Sequence, residues 1–225
     1  MTAIEPVRRD INRPHKIKKY SSSIRLWHWA NTIVITGSLI TVLINSTILN
    51  EGSNAAFLKD ELHKAGALVT NAQTRPVAGA LADSVWSIHI YFGYCLAALL
   101  IFRLILEFFQ LTDQTLLTKI KTAYKDYFII RKQRKLARHE FVVKLTYAAF
   151  YLLLLIMATT GLTLAFKQQL HLARDTAHTV KNVHGFCMYL VLTFIAVHLA
   201  GVFLAERKDS PGIVSDMING GVRKS

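Results

Sequence analysis

Four stretches of this chain, 26–47, 84–102, 145–166 and 182–205, contain no Asp, Glu, Lys or Arg and are mostly apolar. At 1.5 Å of rise per residue each makes a helix about 30 Å long, enough to cross a hydrocarbon core. With 52% hydrophobic and only 18% charged residues among 225, the chain is too oily for an average soluble domain. The expected fold class is all-α, an integral membrane four-helix up-down-up-down bundle. A single domain over 1–225 is expected, with helices at about 25–47, 84–109, 141–166 and 180–205 and cytoplasmic tails at 1–24 and 206–225. Polar and basic residues fill the arm before the first stretch, and no small-residue cleavage site of the A-x-A kind follows. That stretch therefore reads as a retained span. Cys95 and Cys187 lie far apart inside two spans, which excludes C-x-x-C metal or haem-attachment motifs and suits small apolar packing residues.

Orientation follows from the basic residues of the connections. The amino-terminal arm holds seven Lys and Arg, the segment 110–140 holds eight, and the tail from Glu206 holds four. The other two connections hold three each, so nineteen against six places both termini on the cytoplasmic side. The net charge of +13 is then a matter of topology and anionic lipid headgroups, and no nucleic-acid partner is expected. The connection 48–83 is long enough to hold a short amphipathic helix around "AAFLKDELHKAGALV". Such a helix either lies on the membrane surface or meets a partner there.

Four of the nine histidines, His28, His89, His184 and His198, fall inside the spans. One histidine in such a place can simply bond a neighbouring helix. Four of them, at two depths, ask for more. With alternating helix directions, His28 and His198 lie toward the inner surface, and His89 and His184 toward the outer. His184 and His198 are separated by about 21 Å of rise and by about 40° less than four full turns, so they share a face. Pairing His89 with His184 and His28 with His198 makes two stacked bis-imidazole sites, the requirement of two haems b. Arg103 stands fourteen residues after His89 and Arg25 three before His28, both at the inner level. Either can pair a haem propionate or snorkel to the headgroups. Gly93, Gly185 and Gly201 lie beside the ligands, where a flat macrocycle needs small neighbours, although glycine is common in membrane helices for packing alone. Zinc would want three or four ligands at one level. A transporter would be expected to show acidic residues or broken helices at mid-membrane, and no Asp or Glu precedes Glu107 in the spans.

The motifs "RLWHW", "HIYFG", "TTGLTLAF" and H-x13-H, with the tail "ERKDSPGIVSDMINGGVRKS", together resemble the cytochrome b subunit of membrane-bound nickel-iron hydrogenases. The similarity runs in patches from about residue 22 to 223. The wider family includes the cytochrome b subunits of formate dehydrogenase and thiosulfate reductase. The chain departs from the hydrogenase pattern at Val42, Gly185 and Tyr189. What the resemblance implies is a diheme anchor in a bacterial inner membrane, with His28, His89, His184 and His198 on the haem-ligand positions. Electrons would arrive from an extracytoplasmic iron-sulfur subunit, pass the outer and then the inner haem, and reduce menaquinone or ubiquinone near the cytoplasmic side. Arg103, Glu107, His139, Glu140 and Lys144 lie near that surface and are candidates for lining the quinone site.

The function expected is thus an electron-transfer subunit linking an extracytoplasmic hydrogenase-type or related oxidoreductase to membrane quinone. One rival is a stand-alone diheme cytochrome b that exchanges electrons between quinone and a soluble reactant such as superoxide. The other, from a different class, is a haem-free anchor whose histidines only hold helices together.

Overall fold

The computed structural model describes residues 22–108, 116–130, 134–207 and 212–221. The amino-terminal arm, read above as cytoplasmic, lies outside the described residues for all but its end, as do 208–211 and 222–225 of the tail. The fold is all-α: α1 (Ser22–Thr47), α2 (Glu51–Lys64), α3 (Asn71–Phe108), α4 (Leu116–Lys125), a π-helical turn (Asp126–Ile130), α5 (Arg134–Ala165), α6 (Arg174–Arg207) and α7 (Ile213–Asn219). The helices α1, α3, α5 and α6 are long and apolar enough to cross a membrane, as a membrane four-helix bundle requires.

All four spanning helices begin earlier than their apolar stretches, α1 by four residues and the other three by eight or more. α3 starts at Asn71, thirteen residues before Ser84, because Thr70 and Gln73 form a start signal there. The Gln73 side-chain oxygen accepts from the Thr70 backbone N–H at 2.9 Å and from its hydroxyl at 3.1 Å. The alanine-rich segment that follows is a good helix former without being a membrane sequence. α5 and α6 likewise begin in basic or polar sequence, at Arg134 and Arg174. Propensity, to which a hydropathy reading is blind, carries these helices past the hydrocarbon core. The short helix expected in the first connection is α2, capped by Asn50, whose side chain accepts from Gly52 and Ser53. The chain leaves α2 through Gly66, in the left-handed region at φ 87°.

The chain divides into two compact units, 1–29 with 99–225 and 30–98. The division cuts α1 after Trp29 and α3 before Leu99, so each of these helices contributes to both units.

In the smaller unit, Ala30–Ala98, Asn31, Thr41, Asn45, Ala55, Thr74 and Ala78 are buried. Gly37 is required by close packing there, because a Cβ at that position would fall inside 3 Å of the Phe92 ring.

In the larger unit α5 packs along α6, α4 packs on α5, and α7 packs on α6. Its buried residues include Trp27, Leu100, Leu154, Ala158, Cys187 and Val191. Tyr127 stacks on Phe141 at 6.2 Å between centroids, with Phe128 edge-on at 5.9 Å, which ties the π-helical turn to α5. In both units many large apolar side chains stand open, among them Ile33, Leu43, Phe186 and Val197 at about 60% exposure or more. A surface of that kind is matched to lipid.

Candidate haem sites

His28 sits between two tryptophans on α1, and both are anchored. The Trp27 indole N–H donates to the Leu99 carbonyl at 2.9 Å, and its ring lies 5.6 Å from that of Tyr151. The Trp29 indole N–H donates to the Met217 carbonyl at 3.2 Å, and its ring meets His28 edge-on at 5.2 Å. With its neighbours held on either side, His28 has little freedom to turn. Its partner His198 lies parallel to Phe194, one turn earlier on α6, and Phe194 stacks in turn on Phe150 of α5 at 4.0 Å.

These two histidines meet with their ring centroids 6.3 Å apart and their planes at 56°. Two imidazoles on opposite sides of one iron, with metal–nitrogen bonds of about 2 Å and ring centres about 1 Å beyond, have centroids roughly 6 Å apart. The observed separation fits an axial pair. It is wide for a direct hydrogen bond between the rings, which rests on nitrogens about 3 Å apart.

Arg103 adds a second mark of an anionic group in this unit. The residue is only 5% exposed. Its Nε donates to the Tyr151 hydroxyl at 3.1 Å, its Nη2 pairs with Glu107 at 3.1 Å, and its guanidinium lies 5.5 Å from the centre of the Tyr151 ring. Nη1 is buried and has no hydrogen-bond partner among the described residues. A buried cation with an unsatisfied donor is costly until an acceptor reaches it. A haem propionate would supply that acceptor, and Tyr151 links Arg103 to Trp27, the neighbour of His28. Arg25, for which propionate pairing and snorkelling were both expected as alternatives, also makes contacts within this unit. Its guanidinium donates to the Ile218 carbonyl and, at 3.2 Å, to the Ser22 hydroxyl.

His89 and His184 belong to different units, and each has its own setting. The Nδ1 of His89 lies 2.9 Å from the Thr41 hydroxyl and 3.3 Å from both the carbonyl and the hydroxyl of Ser38, the carbonyl being able only to accept. The Nδ1 of His184 lies 2.9 Å from the Thr160 hydroxyl. Each threonine has one proton to give, and each gives it to a carbonyl of its own helix: Thr41 to Ser38 at 2.6 Å, Thr160 to Ile156 at 2.6 Å. The hydroxyl oxygens therefore accept from Nδ1–H, and the tautomer that results carries its lone pair on Nε2. That is the state in which a histidine ligates iron. Gly161 makes room for the second of these rings, since a Cβ there would stand 3.2 Å from His184 Cε1.

Of the residues singled out in the sequence, the structure thus brings His28 and His198 together and places Arg103 in the same unit. Glu107 is the ion-pair partner of Arg103. The side chains of His139 and Glu140, named for the quinone site, lie outside the described residues. Thr41, Thr160 and Tyr151 were not singled out. A hydroxyl in an apolar helix usually bonds its own backbone, as Thr146, Thr159 and Thr193 do, and carries no local sign of a second partner.

A family model described as "Prokaryotic cytochrome b561" matches residues 19–220. Comparison with curated proteins and with solved structures returned no significant match to either. Because the matched residues take in all four spanning helices, the chain belongs to the prokaryotic cytochrome b561 family and is a multi-pass membrane protein that binds haem b and transfers electrons.

Proposed function

We propose that this protein is a diheme subunit, resembling that of nickel-iron hydrogenases. In this reading it carries electrons between an extracytoplasmic iron-sulfur partner and quinone, menaquinone or ubiquinone, in a bacterial inner membrane. The observation that best supports it is the 6.3 Å separation of the His28 and His198 rings, the spacing of an axial pair. The inner haem is assigned to His28 and His198 and the outer to His89 and His184. The second assignment rests on the depth of the histidines along their helices and on their Nδ1–H tautomers, which carry the lone pair on Nε2. When bound, haem b supplies a one-electron couple at each level.

The chain's own residues do the rest. Arg103 neutralises an inner propionate, and the anchored tryptophans hold His28 in place. Reduction of a quinone takes up two protons with two electrons. Glu107 and Lys144, toward the inner ends of their helices by sequence, are candidates for lining a site that would draw those protons from the cytoplasm. Both termini are assigned to that side by the nineteen-to-six distribution of basic residues.

The test is haem content and redox behaviour in single-ligand variants of the detergent-solubilised protein. Two haems b per chain are expected, with His28→Ala and His198→Ala losing one and His89→Ala and His184→Ala losing the other. One haem in the unaltered protein, or joint loss of the same haem in His184→Ala and His198→Ala, would sink the assignment. Affinity purification from native membranes addresses the partner: co-purifying iron-sulfur subunits support the complex. Full quinone reactivity of the chain alone would instead point to the stand-alone rival.

A further inference from the structure

We infer that Thr41 and Thr160 are positioning residues of the outer haem, each orienting an axial histidine and lowering the reduction potential by accepting a hydrogen bond from Nδ1. The inference rests on the diheme reading above. It begins from an arrangement that occurs twice. A histidine on α3 meets a threonine of α1, and a histidine on α6 meets a threonine of α5, both at 2.9 Å and both through Nδ1. In each case the hydroxyl proton is already committed to a carbonyl 2.6 Å away. Thr146, Thr159, Thr163 and Thr193 return their hydroxyls to the backbone without meeting an imidazole, so the contact is not what threonines in these helices do by default.

The chemical consequence has a sign. A hydrogen bond accepted from Nδ1–H leaves more electron density on the ring and makes Nε2 a stronger donor to iron. A stronger donor stabilises the oxidised metal more than the reduced one, so the potential falls. The same bond fixes the ring about its Cβ–Cγ axis. At His184 this is reinforced by Gly161, whose missing side chain lets the ring lie against α5. Threonine serves better than a carboxylate here, because it accepts the bond without placing a charge in an apolar helix.

The experiment compares Thr41→Val, Thr160→Val and the corresponding serine variants in the full chain. It follows haem content, the two midpoint potentials in a redox titration, and the low-spin electron paramagnetic resonance signals. The valine variants are expected to shift the outer potential positive and alter the outer haem's g-values, leaving the inner haem unchanged, and serine is expected to restore both. Loss of the outer haem alone in valine, with retention in serine, supports the same role. Unchanged potential and g-values in both valine variants would overturn it, as would equal losses in valine and serine, since the hydroxyl would then not be what matters. Haem counting in the unaltered protein separates this failure from that of the diheme reading. Two haems with silent threonines leave that reading standing, whereas fewer than two remove both.

Discussion

At the residue scale the inner site is held by side chains that leave little slack. Arg103 shows this best, because it is nearly fully buried and pairs with Glu107. Replacing it by methionine strands the Glu107 carboxylate and, in the proposed diheme arrangement, would remove a propionate's counter-charge. Breaking a buried pair from one side costs about 3–5 kcal/mol, and Glu107, about a quarter exposed, recovers part of this from solvent. Arg103→Met is therefore expected to lower the inner haem's occupancy and potential while the outer haem stays. Arg103→Lys should retain more haem than methionine, because it keeps the charge and loses only the fork geometry. Haem content and a redox titration of both variants would decide it, and equal behaviour of the two would argue against a charge role. Gly37 makes a purely structural contrast. Gly37→Ala drives a methyl into the Phe92 ring, and overpacking of this kind costs about 1–3 kcal/mol. A lower thermal midpoint, partly rescued by adding Phe92→Leu, is the expected result.

At the scale of elements, α7 is the least obvious part and one of the most strongly tied. The Glu206 carboxylate, at the end of α6, accepts from the Gly212 and Val214 N–H groups at 2.7 and 3.3 Å. At its other end α7 presents the carbonyls of Met217 and Ile218 to Trp29 and Arg25. Gly220 and Gly221, at φ 97° and 61°, close the helix in a conformation that other residues resist. A Cβ on Gly221 would also meet the Asp216 carboxylate at 2.8 Å. α7 thus straps the end of the His198 helix to the start of the His28 helix. Removing residues 212–225 is expected to halve the haem per chain by loosening the inner pair. Retention of both haems with normal potentials after truncation would show the strap to be dispensable. Much of this was out of reach from sequence. "PGIVSDMINGG" shows its glycine stops plainly, whereas the carbonyls that Arg25 and Trp29 choose depend on where seven residues of helix come to rest.

At the scale of the molecule, the charge distribution predicts that fluorescent-protein fusions to either terminus will report a cytoplasmic location. A periplasmic reporter should instead be active when fused within the α2 connection. A fluorescent amino terminus with a silent carboxyl terminus would mean an odd number of crossings and overturn the topology. The four spans were legible because hydropathy and length act locally and add along the chain. The starts of α3, α5 and α6 were not, since propensity and capping extended those helices into sequence that no lipid would select. The division into two units was also hidden, because it cuts through α1 and α3 at points where composition does not change.

Taken alone, the sequence determined what lies along each helix axis. A fixed rise and turn per residue make the depth and face of His28, His89, His184, His198 and Arg103 a matter of counting. Tertiary structure decided what meets across helices: the 6.3 Å approach of His28 to His198, the choice of Tyr151 for Arg103, the assignment of Arg25 to α7, and the threonine behind each outer histidine. Lateral contacts follow from how whole helices pack, which no local pattern specifies.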